Sequence, residues 1–290
     1  MGFTLKKIML SLIFVSVCSV SAAEGTTKIM PLGDSITWDD YHGDKRSDSE
    51  RSAYRNYLWY KLKEIGYDAN FVGSQSGGQD IKPYFDHDHE GHSGYTSHQI
   101  AENVYDYLRM NTPDVILLHI GTNDWDTSPS GVEDILSEID QFENNNNVHI
   151  KVILARIINR NPKTSLISNF NSNLESMARN RINSGDDIEI VDMEHDAGIN
   201  YGSDLRDGTH PDNCGYEKMA NVWFSALTGK GSPGLKYANC NGDGDGESLD
   251  ALYAYPETLV DEKYILSSDV DVKTDTITFT LSIPESGITF

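Results

Sequence analysis

The stretch Val115-Ile116-Leu117-Leu118-His119-Ile120-Gly121-Thr122-Asn123-Asp124 is an almost unbroken apolar run that stops at a glycine and three small polar residues. Apolar side chains without polar alternation suit a strand covered on both faces, the situation of a strand inside a parallel sheet. Working outward, similar runs occur at Lys28–Leu32, Ala69–Val72, His149–Ala155 and Ile188–Asp192. Amphipathic stretches separate them at about 51–65, 97–110, 131–143, 166–183 and 213–227. In the second of these, Ile100, Val104, Tyr107 and Leu108 recur at helical spacing. Strands alternating with helices predict an α/β domain with a doubly wound, five-stranded parallel sheet.

The chain has 290 residues, 38% of them hydrophobic, enough for a large core. Its 45 acids against 23 bases give a formal charge of −22. Nucleic-acid binding needs clustered Lys and Arg, and docking on anionic membranes needs the same, so neither partner is expected. Lys6 and Lys7 precede an apolar run from Ile8 to Val20 that ends in Ser21-Ala22-Ala23. A basic start, a short apolar segment and small residues predict a signal peptide over 1–23, hence a secreted, extracellular or periplasmic protein. The run is shorter than the roughly 20 residues a spanning helix needs. Removing it takes away Cys18 and leaves Cys214 and Cys240, which have one intramolecular pairing. That bridge would close a loop of about 27 residues, worth about 3 kcal/mol in the chain-entropy model.

In open α/β sheets the loops beyond the carboxyl ends of the strands carry the chemistry. The first strand ends in Gly33-Asp34-Ser35-Ile36-Thr37, a serine at a strand-to-helix turn. The third ends in Gly121-Thr122-Asn123-Asp124, which offers a side-chain amide. After the fifth comes Asp207-Gly208-Thr209-His210-Pro211-Asp212. A serine hydroxyl needs a base to become a useful nucleophile, and the imidazole of His210 is suited to that near neutral pH. Asp207 is placed to hold the other ring nitrogen. The backbone N–H groups of Ser35 and Gly94 and the Asn123 amide are the expected donors to an oxyanion. Asp34, Trp38, Tyr95 and Trp125 are candidates for substrate contact.

Gly33-Asp34-Ser35, Gly94, Gly121-Thr122-Asn123-Asp124 and Asp207-Gly208-Thr209-His210 resemble, in order and spacing, the four blocks of the SGNH (GDSL-type) hydrolases, a likeness covering about residues 28–228. It implies a flavodoxin-like fold, a Ser35 nucleophile, an Asp207–His210 pair completing a triad, and Gly94 and Asn123 as oxyanion donors. Ile29-Met30-Pro31-Leu32-Gly33-Asp34-Ser35-Ile36-Thr37, Tyr54-Arg55 and Glu90-Gly91-His92-Ser93-Gly94-Tyr95 are similar to the acetyl-xylan-esterase-like branch, carbohydrate esterase family 3. That branch implies removal of acetyl groups from sugars with no metal or other cofactor in catalysis. Trp38-Asp39-Asp40-Tyr41-His42-Gly43 departs from the small turn usual after the serine, placing an aromatic and two acids where they could narrow the acyl pocket or meet a polar sugar.

Other readings compete. A short-chain lipid ester is the rival substrate. Asp86-His87-Asp88-His89-Glu90-Gly91-His92 is either a solvated or substrate-facing loop or, in a metal-dependent phosphoesterase, a ligand cluster. A carbohydrate-binding protein without catalysis would not need Ser35, Asn123, Asp207 and His210 together. The domain is expected over 24–230, followed by an acidic extension, 231–290, with 11 acids and 3 bases. Within the extension, Asn239, Asn241, Asp243, Asp245, Glu247 and Asp250 have the oxygen spacing of a dockerin-like or EF-hand-like calcium loop, the alternative being a flexible acidic turn. Thr274–Ile283 alternates as a half-buried strand does.

Overall fold

Pro31 lies inside the first strand, and its position explains the edge of the sheet that forms there. The computed structural model describes residues 25–238, Cys240 and, as backbone, 265–271 and 276–282. The expected signal segment and the candidate calcium ligands Asn239, Asn241, Asp243, Asp245, Glu247 and Asp250 lie outside the described residues. Strand β1 (Thr27–Gly33) is followed by β2 (Ala69–Phe71), β3 (Gln75–Ser76), β4 (Asp88–Gly91), β5 (Val115–His119), β6 (Lys151–Arg156) and β7 (Ile188–Asp192). On one side β1 pairs in parallel with β5, from Ile29 opposite Val115 to Gly33 opposite His119. On the other side β2 pairs only with Thr27–Ile29, and β4 takes over at Leu32 and Gly33. The carbonyls of Ile29 and Gly33 accept from Val72 and His92 on that side. Residue 31 faces the same edge and, being proline, has no N–H to give it. The break between β2 and β4 falls at that gap.

Taking β2 and β4 as one broken column, the parallel order is β2/β4, β1, β5, β6, β7, the doubly wound five-column sheet expected from the sequence, with β3 added antiparallel to β4. Successive side chains of β1, β5 and β6 point to opposite faces. Ile29, Leu117 and Ile153 join one apolar cluster with α2 (Arg55–Glu64) and α6 (Asn213–Thr228). Met30, Ile116, Leu118, Val152 and Leu154 join another with α3 (Ser97–Met110), α4 (Ser130–Asn146) and α5 (Ser165–Ser184). Every residue of β5 is buried, as its unbroken apolar pattern requires.

The segment after α6 runs back along it. The buried Glu217 carboxylate accepts from Lys61 Nζ at 2.7 Å and from the backbone N–H groups of Lys236, Tyr237 and Ala238. Cys240 then bonds Cys214, the second residue of α6, with the Cα atoms 5.5 Å apart. The expected disulfide is therefore present, and it brings the chain back to the helix end nearest the Asp207–His210 loop. In the extension, β8 (Ile265–Asp271) and β9 (Thr276–Ser282) form an antiparallel pair with Ile265 opposite Ser282.

Candidate active site

The chain passes from β1 to one side of the sheet and returns on the other at β5, so the carboxyl ends of these two strands open onto a crevice. Ser35 stands there as the first residue of a short helix, α1 (Ser35–Trp38). Asp34 caps that helix, accepting from the Ile36 N–H at 3.0 Å. Ser35 Oγ lies 2.9 Å from His210 Nε2, and His210 Nδ1 lies 2.9 Å from Asp207 Oδ2. Asp207 Oδ1 also accepts from the backbone N–H groups of Thr209 and His210, at 2.9 and 2.8 Å. Partial burial opposes ionisation of Asp207, but the His210 N–H, the His210 ring and the Thr209 N–H outweigh it and hold its pKa below the usual range. An ionised Asp207 fixes the ring proton on Nδ1 and leaves Nε2 to accept the serine proton.

Gly94 adopts φ +78°, and a Cβ placed there would meet nothing within 4 Å, so its backbone faces open space. Asn123 donates one amide hydrogen to the Tyr95 carbonyl at 3.0 Å, which ties the β5 loop to the Gly94 turn and leaves its second hydrogen for a ligand. Asp124 holds the same loop to the start of α3, accepting from Ser97 N at 2.8 Å and Ser97 Oγ at 2.6 Å. Gly121 has φ +128°, and a Cβ there would come within 2.4 Å of the Phe170 ring. Among the described residues, neither the Ser35 nor the Gly94 N–H is spent on a backbone acceptor. The site can thus take a proton from a hydroxyl and surround a developing negative charge with donors.

The residues expected to touch substrate separate into distinct groups. Tyr95 is half-buried at the rim and Trp125 is 69% exposed. Trp38 packs on His89, ring centroids 4.5 Å apart. Asp34, expected as a contact, is instead fully buried in its capping role. The acids Asp39 and Asp40, placed by the sequence either to narrow the acyl pocket or to meet a sugar, are taken up by Arg46 and Arg51 at 2.9 and 3.0 Å. Nor is 86–92 a solvated loop: it contains β4, where His89 and Glu90 are fully buried. The reason is the sheet edge left open beyond Pro31, which β4 fills with backbone hydrogen bonds whatever its side chains. Among the described residues no group of three or more His, Cys, Asp or Glu side chains is placed to hold a metal ion.

Sequence reasoning missed Arg160 and Tyr41. Arg160 follows β6, donates to the Thr122 carbonyl, and lies 4.2 Å from the Trp125 ring centroid. Burial lowers its pKa, against the pull of Asp34 and Asp207. With Thr122, Trp125, Asn161, Phe170 and Thr209 it lines a cavity of about 210 Å³ that touches the Asp207 loop but not Ser35. The rule that pointed to the loops after β1 and β5 applies equally after β6 and would have found it. Tyr41 lies 6.1 Å from the His210 ring, with no sequence pattern to announce it.

A multidomain esterase of Ruminococcus flavefaciens is 30% identical over 240 residues, 72% of this chain; the match spans 29% of that relative's length. A Clostridium thermocellum family 3 carbohydrate esterase superposes with a TM-score of 0.58 at 32% identity, covering 69% of this chain and 94% of that one. An acetyl esterase mutant crystallised with acetate ion superposes with a TM-score of 0.59 at 25% identity, covering 70% and 96%. The family description of GDSL-like lipase/acylhydrolases matches residues 29–223. The chain belongs to the GDSL-like lipase/acylhydrolase family.

Proposed function

We propose that the protein is a secreted serine esterase that removes acyl groups, acetyl foremost, from a carbohydrate. The observation that carries this reading is the Ser35–His210–Asp207 chain, with 2.9 Å at each link, beside three candidate oxyanion donors. Secretion rests on the signal-like 1–23 segment. The acetyl and carbohydrate assignments rest on the likeness to a family 3 carbohydrate esterase and to an acetyl esterase.

Ser35 Oγ attacks the ester carbonyl as its proton passes to His210 Nε2, and Asp207 stabilises the imidazolium. The carbonyl oxygen, now negative, is held by the Ser35 and Gly94 N–H groups and the free Asn123 hydrogen. Collapse breaks the bond to the sugar oxygen, which takes the proton from Nε2. Water then repeats the sequence on the acyl-serine, releasing acetate and restoring the hydroxyl. No step requires a metal, and calcium, if it occupies the 239–250 loop, acts on stability. The Trp125–Arg160 cavity offers a ring face and hydrogen-bond donors for the sugar beside the one attacked.

The test is acetate release from a panel of acetylated glycans, set beside p-nitrophenyl esters of rising chain length. Glycan deacetylation with loss of rate beyond the acetyl ester is expected. Rates that rise with acyl length while every glycan remains untouched would replace this reading with a lipid esterase. Ser35→Ala should abolish turnover with the fold intact.

A further inference from the structure

Glu90 and His92 form a second histidine–carboxylate pair that the reaction above does not use. The Glu90 carboxylate is fully buried. Its Oε1 accepts from Ser74 Oγ and from His92 Nε2, each at 2.7 Å, and its Oε2 accepts from the Ser74 N–H at 2.7 Å. The His92 ring is sandwiched between Tyr95, 5.0 Å away and tilted 24°, and Tyr107 of α3, 4.8 Å away and tilted 12°.

We propose that Glu90 and His92 are positioning residues for the oxyanion donors, a role that rests on the mechanism proposed above. The His92 N–H bonds the carbonyl of Gly33, two residues before the nucleophile, at 2.9 Å. The His92 carbonyl accepts from the Tyr95 N–H at 3.2 Å, closing the turn that contains Gly94. Tyr95, stacked on the ring, presents the carbonyl that receives the Asn123 amide. One residue therefore fixes both ends of the Gly94 turn and, through Tyr95, the orientation of Asn123. A turn built on a left-handed glycine has little rigidity of its own. Oxyanion donors act only where they already point at the developing charge, so the freedom of this turn must be removed by its surroundings. The sandwich restrains the plane of the ring, and the buried carboxylate restrains its rotation within that plane. A flat ring bearing an N–H does both; an aliphatic side chain would do neither.

Steady-state hydrolysis of p-nitrophenyl acetate by His92→Ala, His92→Phe and Glu90→Gln tests this, with circular dichroism melts to confirm folding. His92→Ala should lose at least tenfold in kcat with KM within twofold of the parent. His92→Phe keeps the stack without the hydrogen bond and should fall between, as should Glu90→Gln; it also carries the test where His92→Ala does not fold. Combined with Asn123→Ala, the His92 loss should be smaller than in the parent, because both act through the same donors. Unchanged kcat, a loss confined to KM, or full multiplication with Asn123→Ala overturns the proposal. Turnover retained in Ser35→Ala would instead overturn the serine mechanism itself, whatever the His92 variants do.

Discussion

Two histidine–carboxylate pairs flank the same crevice and are built in opposite ways. His210 and Asp207 share one loop, with side chains 14% and 34% exposed. His92 and Glu90 sit at the end of β4, with side chains 11% and 0% exposed. Asp207 takes two of its contacts from the backbone beside it, so the loop is folded around its own carboxylate. Glu90 takes its contacts from Ser74, on a different segment, so it ties two parts of the fold together. The exposed pair is suited to moving a proton, because solvent tolerates the change of charge. The buried pair is suited to holding a shape, because any change of charge there would be costly.

The contrast breaks most sharply at Asp207→Asn. An asparagine can still accept from the Thr209 and His210 N–H groups, so the loop should persist. Its amide would face Nδ1 as a donor and force the ring proton onto Nε2, where it blocks deprotonation of Ser35. We expect kcat to fall by about 10³–10⁴, or roughly 4–5.5 kcal/mol of barrier, with the thermal midpoint little changed. A loss below tenfold in p-nitrophenyl acetate hydrolysis would show that Asp207 does not set the tautomer.

The buried pair should reverse that balance. Glu90→Ala removes a buried carboxylate on which the exposed Ser74 and the half-buried His92 converge, and three hydrogen bonds to it are lost. Losing hydrogen bonds to a buried charged group costs about 1.5–3 kcal/mol, which for a domain of this size lowers the midpoint by about 3–12 °C. Urea melts of Glu90→Ala and Asp207→Ala, run side by side, would measure the difference. Equal destabilisation would remove the distinction between a pair that acts and a pair that holds.

The sequence exposed the first pair and concealed the second. Asp207 and His210 fall in a loop after a strand whose apolar pattern is plain, and Ser35, Asn123 and the parallel sheet follow from the same reasoning. Ile188–Asp192 was legible to the residue because its ends coincide with a change of polarity. Strand β4 was not, because Asp88-His89-Glu90-Gly91 has no strand character and is extended only by the unsatisfied edge of β1 beyond Pro31. A tertiary demand overrode local preference there. Glu90 and His92 consequently looked like members of a charged loop, and Asp34 looked exposed because it adjoins the nucleophile. Neither burial is encoded locally; both follow from which strand lies next to which.

Asp34 offers a third, smaller test, since it is a buried carboxylate within electrostatic reach of the exposed pair. Burial raises its pKa from 3.8 to about 6, against the opposing effects of the Ile36 N–H, His210 and Thr122. Its Oδ2 makes no hydrogen bond of ordinary geometry, so the Thr122 hydroxyl offsets little of that burial. A raised carboxylate pKa means that the native state keeps a proton which the unfolded chain has released. Stability from this group is therefore fully present below pH 3.8 and is lost as the pH rises through about 6. The shift corresponds to at most roughly 3 kcal/mol at neutral pH. Asp34→Asn keeps the helix cap, because the amide oxygen can still accept from Ile36. We expect it to melt about 3–6 °C above the parent at pH 7 and with the parent near pH 4. The ionised carboxylate favours a positive His210, so the same substitution should lower kcat several-fold while it stabilises the fold. A midpoint difference that is constant between pH 4 and 7 would show that Asp34 contributes a cap and no charge. Asp34 would then belong with Glu90 as scaffold; the pH-dependent result would instead make it an electrostatic member of the exposed pair, carried at a cost in stability because the reaction needs its charge.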